Sequence, residues 1–590
     1  MSEKKEYPIK TRIVRITDKK TGVVYLEERR TQYDPQKGWN RVISTRRTGE
    51  KIMEGKTEPQ KCRPKRHSGD PKVIADASTA ERKRIGMTQI LEWVGSESGV
   101  DKAVYDAFPS RAVAEKVISV ARYLVATNKT VHNIADFQYE HDLPYEHGLS
   151  EDVCYDLFRD VGHDEASTQR LFQRLSEIGQ VEQGVIAFDS TTISTYAQGE
   201  QTPFARQGYN KDGDGLDTYK MLTMFSVTSG LPISFELQPG NIPDVSSLVN
   251  TVKRLETYQI KRPLLILDNG FFSKANIAHL CREHVSFTVR ASLGDSWIID
   301  HIDTTSAKGR EVRRDFQRMD SICPFASEVS GVTVTAKTEL TWTRKRNRSG
   351  KTAGTTERFS RLLHFHYFKD ETRAIELRTA FRDILLGLKN RLEAGKNDFS
   401  EDEDRYIKRY LNVSKHGRGG LKVEFNEEAC KDVMSDFGMF VLISNTEADR
   451  WAALRHYRQR TIIEKTYSTI KTELDGRHPR VWSRASDRGK EVCRLIALGY
   501  RFYLQNAINK AASRAETISY DQSKLQTVRE AHEKAAAWLK KVSLSQFLNW
   551  FDCIEHVEVV NSIGKRRWTT ETTVRDRLVR ELLMGKNQDS

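Results

Sequence analysis

Gly184-Val-Ile-Ala-Phe-Asp189 and Pro263-Leu-Leu-Ile-Leu-Asp268 are two short apolar runs that each end in an aspartate. Near-continuous apolar runs of this length are typical of strands buried on both faces, as the central strands of a parallel sheet are. Ligands of α/β proteins gather at the carboxyl ends of such strands. We therefore expect both carboxylates at one edge of a buried sheet. Taken singly, each aspartate has a commoner role as a turn residue or a helix cap.

Further strands and helices are predicted around these two runs. Residues 219–227 and 231–237 are predicted to be strands, and the Ser-Gly between them is a hairpin signal. An amphipathic helix is predicted over 244–255, a second helix begins after Ser273, and a fifth strand begins at Val285. The resulting order β-β-β-α-β-α-β matches the RNase H-like fold, in which the first and fourth strands are neighbours.

That neighbourhood has a chemical consequence for Asp189 and Asp268. Two carboxylates a few ångströms apart repel each other unless a cation lies between them. Hard divalent Mg²⁺ prefers oxygen ligands and keeps several of its waters. The sequence therefore predicts a magnesium site at this edge of the sheet.

A third carboxylate is predicted on a helix, in Tyr457-Arg-Gln-Arg460-Thr-Ile-Ile-Glu464-Lys-Thr-Tyr-Ser-Thr-Ile-Lys471. At about 100° per residue, Tyr457, Arg460, Glu464 and Lys471 fall within about 60° of one another on one continuous helix. A carboxylate ringed by a phenol, a guanidinium and an ammonium suits a metal ligand set among donors to phosphate. The alternative is a solvated helix face with charge pairs such as Arg460–Glu464.

Length and charge restrict the class of protein. A chain of 590 residues should form several domains, and 38% hydrophobic residues are enough to build cores. The net charge of +14 favours a polyanionic partner, nucleic acid before membrane. No apolar run reaches the roughly 18 residues of a membrane span, and the charged N-terminus lacks the apolar core of a secretion signal. The seven cysteines show no CxxC spacing, so we expect a cytoplasmic protein without a disulfide framework or a zinc module.

The regions flanking the core differ in composition. The N-terminal region, residues 1–80, alternates basic and apolar residues. Near its end is the basic segment Lys61-Cys-Arg-Pro-Lys-Arg-His, which either contacts DNA phosphates or is solvated. The next region, residues 81–180, is predicted to be helical from the spacing of its apolar residues. It suits either a helix-turn-helix-like domain that binds duplex DNA or a plain helical bundle. The predicted domains are 1–80 (basic, strand-rich), 81–180 (helical), 181–295 (first part of the core), 296–435 (insertion), 436–485 (second part of the core, with the Glu helix) and 486–590 (helical).

The insertion is predicted to contain a long hairpin. Residues 332–343 alternate like an exposed strand, and residues 358–368 form the returning strand. Its basic turn suits either a grip on a DNA backbone or a solvated hairpin tip; the residues concerned are Arg344, Lys345, Arg346 and Arg348.

Five motifs together resemble the signatures of DDE-type insertion-sequence transposases of the YREK, or cut-and-paste, group. The resemblance covers about residues 180–295 and 435–510. The motifs are Y-x2-R-x3-E-x6-K from Tyr457 to Lys471, Phe188-Asp189-Ser190-Thr191-Thr192, Leu267-Asp268-Asn269-Gly270-Phe271-Phe272, Pro239-Gly240-Asn241-Ile242-Pro243-Asp244, and Gly208-Tyr209-Asn210-Lys211-Asp212, where Asn210 replaces the family's serine.

The resemblance implies both a fold and a set of site residues. The fold is α/β: an RNase H-like catalytic core interrupted by a strand-rich insertion, with N-terminal strand and helical DNA-binding regions and a helical C-terminal region. Asp189, Asp268 and Glu464 are implied as the catalytic triad, binding two Mg²⁺ ions for which Mn²⁺ can substitute. Tyr457, Arg460 and Lys471 are implied as contacts to transposon-end DNA.

The implied activity is that of a DNA transposase in a prokaryotic, nucleoid-associated setting. It cleaves the ends of a mobile element and joins the 3′ ends to target DNA by two-metal-ion hydrolysis and transesterification. Many relatives pass through a DNA hairpin. The implied partners are double-stranded DNA with terminal inverted repeats, target DNA, and a second copy of the chain in a homodimeric synaptic complex. Two alternatives remain: a domesticated, non-catalytic DNA-binding protein, against which the intact triad speaks, and a metal-dependent nuclease without strand transfer.

Overall fold

Two compact units make up the chain in the computed structural model. The first comprises Met1–Glu81 and Glu558–Arg567, and the second comprises Arg82–Val557 and Trp568–Ser590. The structure describes residues 8–19, 22–52, 57–61, 80–179, 184–196, 205–208, 215–260, 263–302, 329–343, 356–415, 421–473, 481, 483–521, 523–561, 564–570 and 572–585.

The first unit contains an antiparallel sheet with the strand order β1-β2-β3-β4. Its strands are β1 (Lys10–Thr17), β2 (Val24–Asp34), β3 (Trp39–Ile52) and β4 (Gln60–Lys61). The turn between β2 and β3 has Gly38 at φ +74°, a left-handed conformation that glycine adopts without steric cost. Strands are thus observed in the region that was predicted to be strand-rich.

Seventeen strands are described in all, and the remaining thirteen follow in chain order. They are β5 (Ala80–Arg84), β6 (Val185–Thr195), β7 (Asp217–Ser226), β8 (Leu231–Pro239), β9 (Leu264–Leu267), β10 (Ser286–Ala291), β11 (Val329–Thr343), β12 (Thr356–Asp370), β13 (Leu411–Lys415), β14 (Leu421–Phe425), β15 (Met439–Ser444), β16 (Glu555–Asn561) and β17 (Gly564–Thr569).

One eight-stranded mixed sheet organises the second unit. Its order is β11-β12-β15-β10-β9-β6-β7-β8. Strand β9 pairs in parallel with both β6 and β10, and the other pairings are antiparallel. The parallel strands are the two apolar runs of the sequence and the strand that follows them, so the central position expected for apolar strands is observed.

Eighteen helices are described, and all of them lie in the second unit. They are α1 (Gly86–Glu97), α2 (Val100–Ala107), α3 (Arg111–Thr127), α4 (Ile134–Glu140), α5 (Glu151–His163), α6 (Glu165–Ile178), α7 (Asp244–Thr257), α8 (Lys274–Arg282), α9 (Ser296–Ile302), α10 (Glu371–Glu393), α11 (Glu401–Tyr410), α12 (Glu427–Ser435), α13 (Arg450–Gln459), α14 (Thr461–Glu473), α15 (Arg484–Tyr520), α16 (Gln526–Leu539), α17 (Leu544–Phe551) and α18 (Val574–Met584). Short 3₁₀ turns lie at Val131–Asn133 and Asn269–Phe271.

The order β6-β7-β8-α7-β9-α8-β10 is the one expected for residues 181–295. The helix predicted to begin after Ser273 is observed as α8, where Ser273 Oγ accepts a hydrogen bond from Asn276 N. Ser150 Oγ accepts a similar hydrogen bond from Val153 N at the start of α5. The predicted hairpin of the insertion is β11 and β12, paired antiparallel.

Three features differ from the expectations. Strand β6 continues six residues past Asp189, so this aspartate lies within a strand and not at its end. The reason is that Thr191, Thr192 and Ile193 are β-branched and pair with β7, which extends the strand beyond its apolar run. Strands β11 and β12 extend the core sheet through β15, and the C-terminal region, expected to be helical, also contains β16 and β17.

The 37-residue helix α15 anchors the helical region that precedes the sheet. A Cβ added at Gly162 would lie 1.7 Å from the carbonyl oxygen of Ala485, and one at Gly489 would lie 1.9 Å from that of Phe158. Helices α5 and α15 therefore cross in backbone contact, which only glycine allows. Helices α1–α6 share one hydrophobic core with α15 and the sheet. No helix among the described residues has both the length and the apolar character needed to cross a membrane.

Candidate active site

Asp189 and Asp268 lie at the same level of the sheet. The parallel pairing of β6 with β9 runs from Val185↔Leu264 to Phe188↔Leu267, so each aspartate is the next residue beyond the last pair. Asp268 follows the end of β9, as predicted, whereas Asp189 is held by the continuing pairing with β7. The backbone N–H of Ser190 donates to Asp189 Oδ1 at 2.8 Å. The register of two buried strands thus brings the two carboxylates to one edge.

The helix carrying Glu464 is not continuous, contrary to the expectation. Helix α13 ends at Gln459, Arg460 forms a turn, and α14 begins at Thr461. Two backbone hydrogen bonds there span three residues, Arg460 N to Tyr457 O at 3.0 Å and Ile463 N to Arg460 O at 2.8 Å. Such bonds tighten a helix into a 3₁₀-like turn. Despite the break, the three side chains remain together at the site: Tyr457 and Arg460 both contact the aspartates, and Glu464 contacts Arg460.

Arg460 contacts all three carboxylates of the predicted triad. Its Nη1 lies 2.9 Å from Asp189 Oδ2 and 3.5 Å from Asp268 Oδ2, and its Nη2 lies 2.7 Å from Glu464 Oε1. The Arg460 side chain is 10% exposed and that of Glu464 is 56% exposed. The planar fork of a guanidinium can reach several carboxylates at once, which a point charge such as lysine cannot. One arginine therefore neutralises much of the negative charge at this edge.

Two tyrosines support the aspartates. The Tyr457 hydroxyl donates to Asp268 Oδ1 at 3.1 Å, and the Tyr467 hydroxyl donates to the backbone oxygen of Asp189 at 2.6 Å. Burial, and then the charge of Asp268, raise the pKa of Tyr457 to about 12. Burial and the nearby Asp189 raise the pKa of Tyr467 as well. Both phenols therefore remain protonated donors.

The charge on Arg460 is stabilised despite its burial. Burial alone lowers the pKa of a guanidinium, because it disfavours the charged form. Tyr457 and the three carboxylates outweigh this effect, and the pKa of Arg460 is raised. The site therefore holds a fixed positive charge at its centre.

A second group of residues fixes the turn that follows Asp268. Asn276 Nδ2 donates to the backbone oxygens of Val245 and Phe271, at 2.9 and 2.8 Å. Lys220 Nζ forms a 2.8 Å ion pair with Asp244 Oδ1, and a Cβ added at Gly270 would lie 3.2 Å from Asp244 Oδ2. The start of α7 is thus packed against the 3₁₀ turn Asn269–Phe271, which gives the motif ending in Asp244 a structural role.

Some predicted site residues lie outside the described part of the chain. Lys471 lies within α14, but its side chain is not among those described. The basic turn of Arg344, Lys345, Arg346 and Arg348 and the motif residues 209–212 also lie outside the described residues.

A family model described as a transposase DDE domain matches residues 181–498, which is more than half of the chain. The chain belongs to the DDE transposases. Among solved structures, this transposase is similar to the piggyBac transposase in a cryo-EM synaptic complex with hairpin DNA, with 10% identity, 79% of this chain and 78% of that chain covered, and a TM-score of 0.33. That likeness is too distant to assign roles to residues. No curated protein matches the chain.

DDE transposases generally use divalent metal ions, and the donor set of this transposase suits them chemically. Carboxylate oxygens are the ligands that hard divalent cations prefer. As arranged here, however, no three Asp, Glu, His or Cys side chains among the described residues form a group able to hold a metal ion. The three carboxylates form ion pairs with Arg460 instead.

Sequence reasoning missed two features of this transposase site. Tyr467 lies on the same helical face as Arg460 at about 100° per residue, so the angle that selected Glu464 could also have found it. A cavity of about 260 Å³ beside Tyr457 is lined by Arg290, Arg373 and Arg458, with Asp370 and Asp436 also present. These arginines come from three separate elements, and no local pattern in the sequence connects them.

Proposed function

We propose that this transposase cleaves the ends of a mobile DNA element and joins its 3′ ends to target DNA. The observation that supports this most is the convergence of Asp189, Asp268 and Glu464 on one guanidinium, from two strands and a helix. An RNase H-like core is the fold that we infer for this transposase.

The triad would hold two divalent ions, Mg²⁺ or Mn²⁺, through carboxylate oxygens. When bound, such ions stabilise the charge that develops on the scissile phosphate and activate water or a 3′-hydroxyl as the nucleophile. The buried pairing of β6 with β9 fixes two of the ligands, and Glu464, which is more exposed, completes the set on the solvent side.

DNA is held by the cations around the triad in this proposal. Arg460, once released from the carboxylates, can donate two hydrogen bonds to one phosphate. Lys471 and Tyr457 would contact flanking phosphates, and the arginines of the cavity beside Tyr457 extend this basic surface. Such contacts fix the register of the DNA and leave the chemistry to the triad. The basic turn Arg344–Arg348 is proposed as a further backbone contact, and a homodimer would hold the two ends together.

Removing one carboxylate at a time tests the triad. Asp189→Asn, Asp268→Asn and Glu464→Gln should each lower metal-dependent cleavage of end DNA by on the order of a thousandfold or more, because each removes an anionic ligand with little change in shape. Cleavage is measured on denaturing gels, which also reveal hairpin ends, and DNA binding is measured by gel shift. Binding should persist in all three variants.

Asp402→Asn is the matched control, because Asp402 is an exposed carboxylate on α11 that pairs with Arg405. It should cleave like the wild type. Full cleavage by any triad variant would remove that residue from the proposed site. Strand joining on pre-cut ends separates a transposase from a nuclease, since a nuclease would cleave the ends without joining them.

A further inference from the structure

Helices α10 to α12 and the hairpin of β13 and β14 form a small substructure within the insertion, between residues 371 and 435. Two hydrophobic clusters of its own hold it together, one around Phe381 and Tyr410 and one around Leu388 and Val423. In a chain of net charge +14, this segment contains thirteen Lys and Arg residues and thirteen Asp and Glu residues. Its neutrality removes the repulsion that two copies of a basic protein would otherwise meet.

One side of α10 is apolar and uncovered. Leu377 is 39% exposed and Ile384 is 47% exposed, and Ala380 and Gly387 are exposed as well. Successive positions of this set are three, four and three residues apart, which at about 100° per residue keeps all four within about 80° of one another. Helices that pack against another helix along a narrow seam use this spacing. We call Leu377, Ala380, Ile384 and Gly387 the α10 stripe.

Gly387 has no packing role within its own chain. After proline, glycine is the residue least favourable to a helix interior. A Cβ added at Gly387 would meet nothing within 4 Å beyond its own helix, so no neighbour in the described part of the chain requires a glycine here. Glycine does allow the backbone of another molecule to approach closely. Its position within an exposed apolar stripe therefore favours a contact with a second helix from outside the chain.

We propose that the α10 stripe is an interface between two copies of this chain, in which the two α10 helices pack antiparallel about a two-fold axis. The pairs Leu377–Gly387 and Ala380–Ile384 are both centred on position 382. Two-fold pairing therefore sets each large side chain against a small residue of the other copy. A surface that complements itself in this way is the requirement for a two-fold dimer contact.

The charges at the ends of the stripe do not oppose this pairing. Arg373 would face the partner's Arg391, and Arg391 forms an ion pair with Glu403 in its own chain. The stripe covers only about 15 Å of helix, so the contact is smaller than a standard protein–protein interface. We expect a weak association, which two copies bound to DNA strengthen through their high effective concentration. The inference rests on the proposed function, in which a homodimer holds the two DNA ends.

Substitution of Gly387 separates association from folding. Gly387→Leu should raise the dissociation constant of the dimer by about tenfold or more, because the new side chain meets the partner's Leu377. At a concentration where the wild type is monomeric, its melting temperature should not fall, because leucine favours the helix and the space around Gly387 is open. Ile384→Ala should weaken the dimer as well. Sedimentation velocity of the full chain without DNA, over a range of concentrations, measures the association.

Leu386→Ala is the matched control, because Leu386 is 41% exposed on the same helix but points about 160° away from Ile384. It should associate like the wild type. A wild type that stays monomeric at every concentration, an unchanged dissociation constant in Gly387→Leu, or an equal loss in Leu386→Ala would overturn the proposal. Weaker DNA binding by Ile384→Ala with unchanged association would assign the α10 stripe to DNA instead.

Failure of this interface and failure of the proposed function give different results. If Gly387→Leu associates like the wild type while Asp189→Asn still abolishes cleavage, the α10 stripe fails alone. If Gly387→Leu separates the two copies while Asp189→Asn cleaves normally, the proposed triad fails and the interface stands.

Discussion

Arg460 forms ion pairs with Asp189, Asp268 and Glu464 and so links the three carboxylates. A buried guanidinium that forms ion pairs with three carboxylates is favourable only while those carboxylates stay ionised and close. A divalent cation would seek the same oxygens. At the proposed metal site, Arg460 and metal ions would therefore compete for the same oxygens, and a phosphate of DNA would be the anion that draws the guanidinium away.

This competition predicts the behaviour of Arg460→Ala. Without DNA, the variant should bind Mn²⁺ several-fold more tightly than the wild type, because its carboxylates have lost their counter-cation. Isothermal titration calorimetry with Mn²⁺ alone measures this, independently of cleavage. Arg455→Ala, which removes an exposed arginine of the preceding helix α13, is the control. Weaker or unchanged binding in Arg460→Ala would show that the arginine supports the metal site and does not compete for it.

At the scale of elements, the site depends on how the turn after β9 is held. Asn276, near the start of α8, donates hydrogen bonds to one backbone carbonyl oxygen of this turn and one of α7. Buried carbonyls that lose such a donor are costly, and the turn that carries Asp268 would then shift more freely. Asn276 is therefore a positioning residue for a carboxylate that it does not touch.

Asn276→Ala should lower the free energy of unfolding by about 1–3 kcal/mol. It should also reduce the turnover rate of DNA cleavage more than it changes KM for DNA, because the displaced group is a triad residue and not a DNA contact. Denaturant unfolding and steady-state kinetics provide both numbers. Asn509→Ala, at an exposed position of α15, is the control. A pure loss of stability with normal turnover would contradict the positioning role.

The sequence predicted some of these elements better than others. The strand and helix order from β6 to β10 was predictable because apolar runs, Ser-Gly and Ser273 are local signals. The break at Arg460 was not predictable. It arises because two backbone hydrogen bonds span three residues where an α-helix spans four, and no Gly or Pro in the sequence marks the position. The joining of β12 to β15 was not predictable either, since pairing between distant strands leaves no local pattern.

At the scale of the whole molecule, helix α15 contains a buried charged group at its start. Asp487, Lys490, Glu491 and Arg494 are all buried there. Asp487 and Glu491 each have one oxygen without a hydrogen-bond partner among the described residues. Burial, and then the charge of Glu491, raise the pKa of Asp487 to about 8. The folded chain therefore holds a proton that the unfolded chain releases near pH 4.

This proton makes stability depend on pH in a defined direction. Because the folded state binds more protons between about pH 4 and pH 8, the free energy of unfolding should fall as pH rises through that window. Asp487→Asn should match the wild type near pH 4 and exceed it by about 1–3 kcal/mol at pH 8. Urea unfolding at several pH values measures this, with Asp160→Asn, at an exposed position of α5, as control. A variant that keeps the wild-type pH slope would assign the slope to other groups.

Strand β15 lies between β10 and β12 in the sheet, although it is synthesised later than both. A ribosome adds about 5–20 residues per second, so roughly 7 to 30 seconds separate the synthesis of β10 from that of β15. Throughout that interval the edge of β10 is unpaired, and open edges invite pairing with other chains. Glu464 is translated later still. If the proposed triad is the catalytic site, a nascent chain would carry Asp189 and Asp268 without the third carboxylate, and it would not cleave the DNA around it until Glu464 had been synthesised.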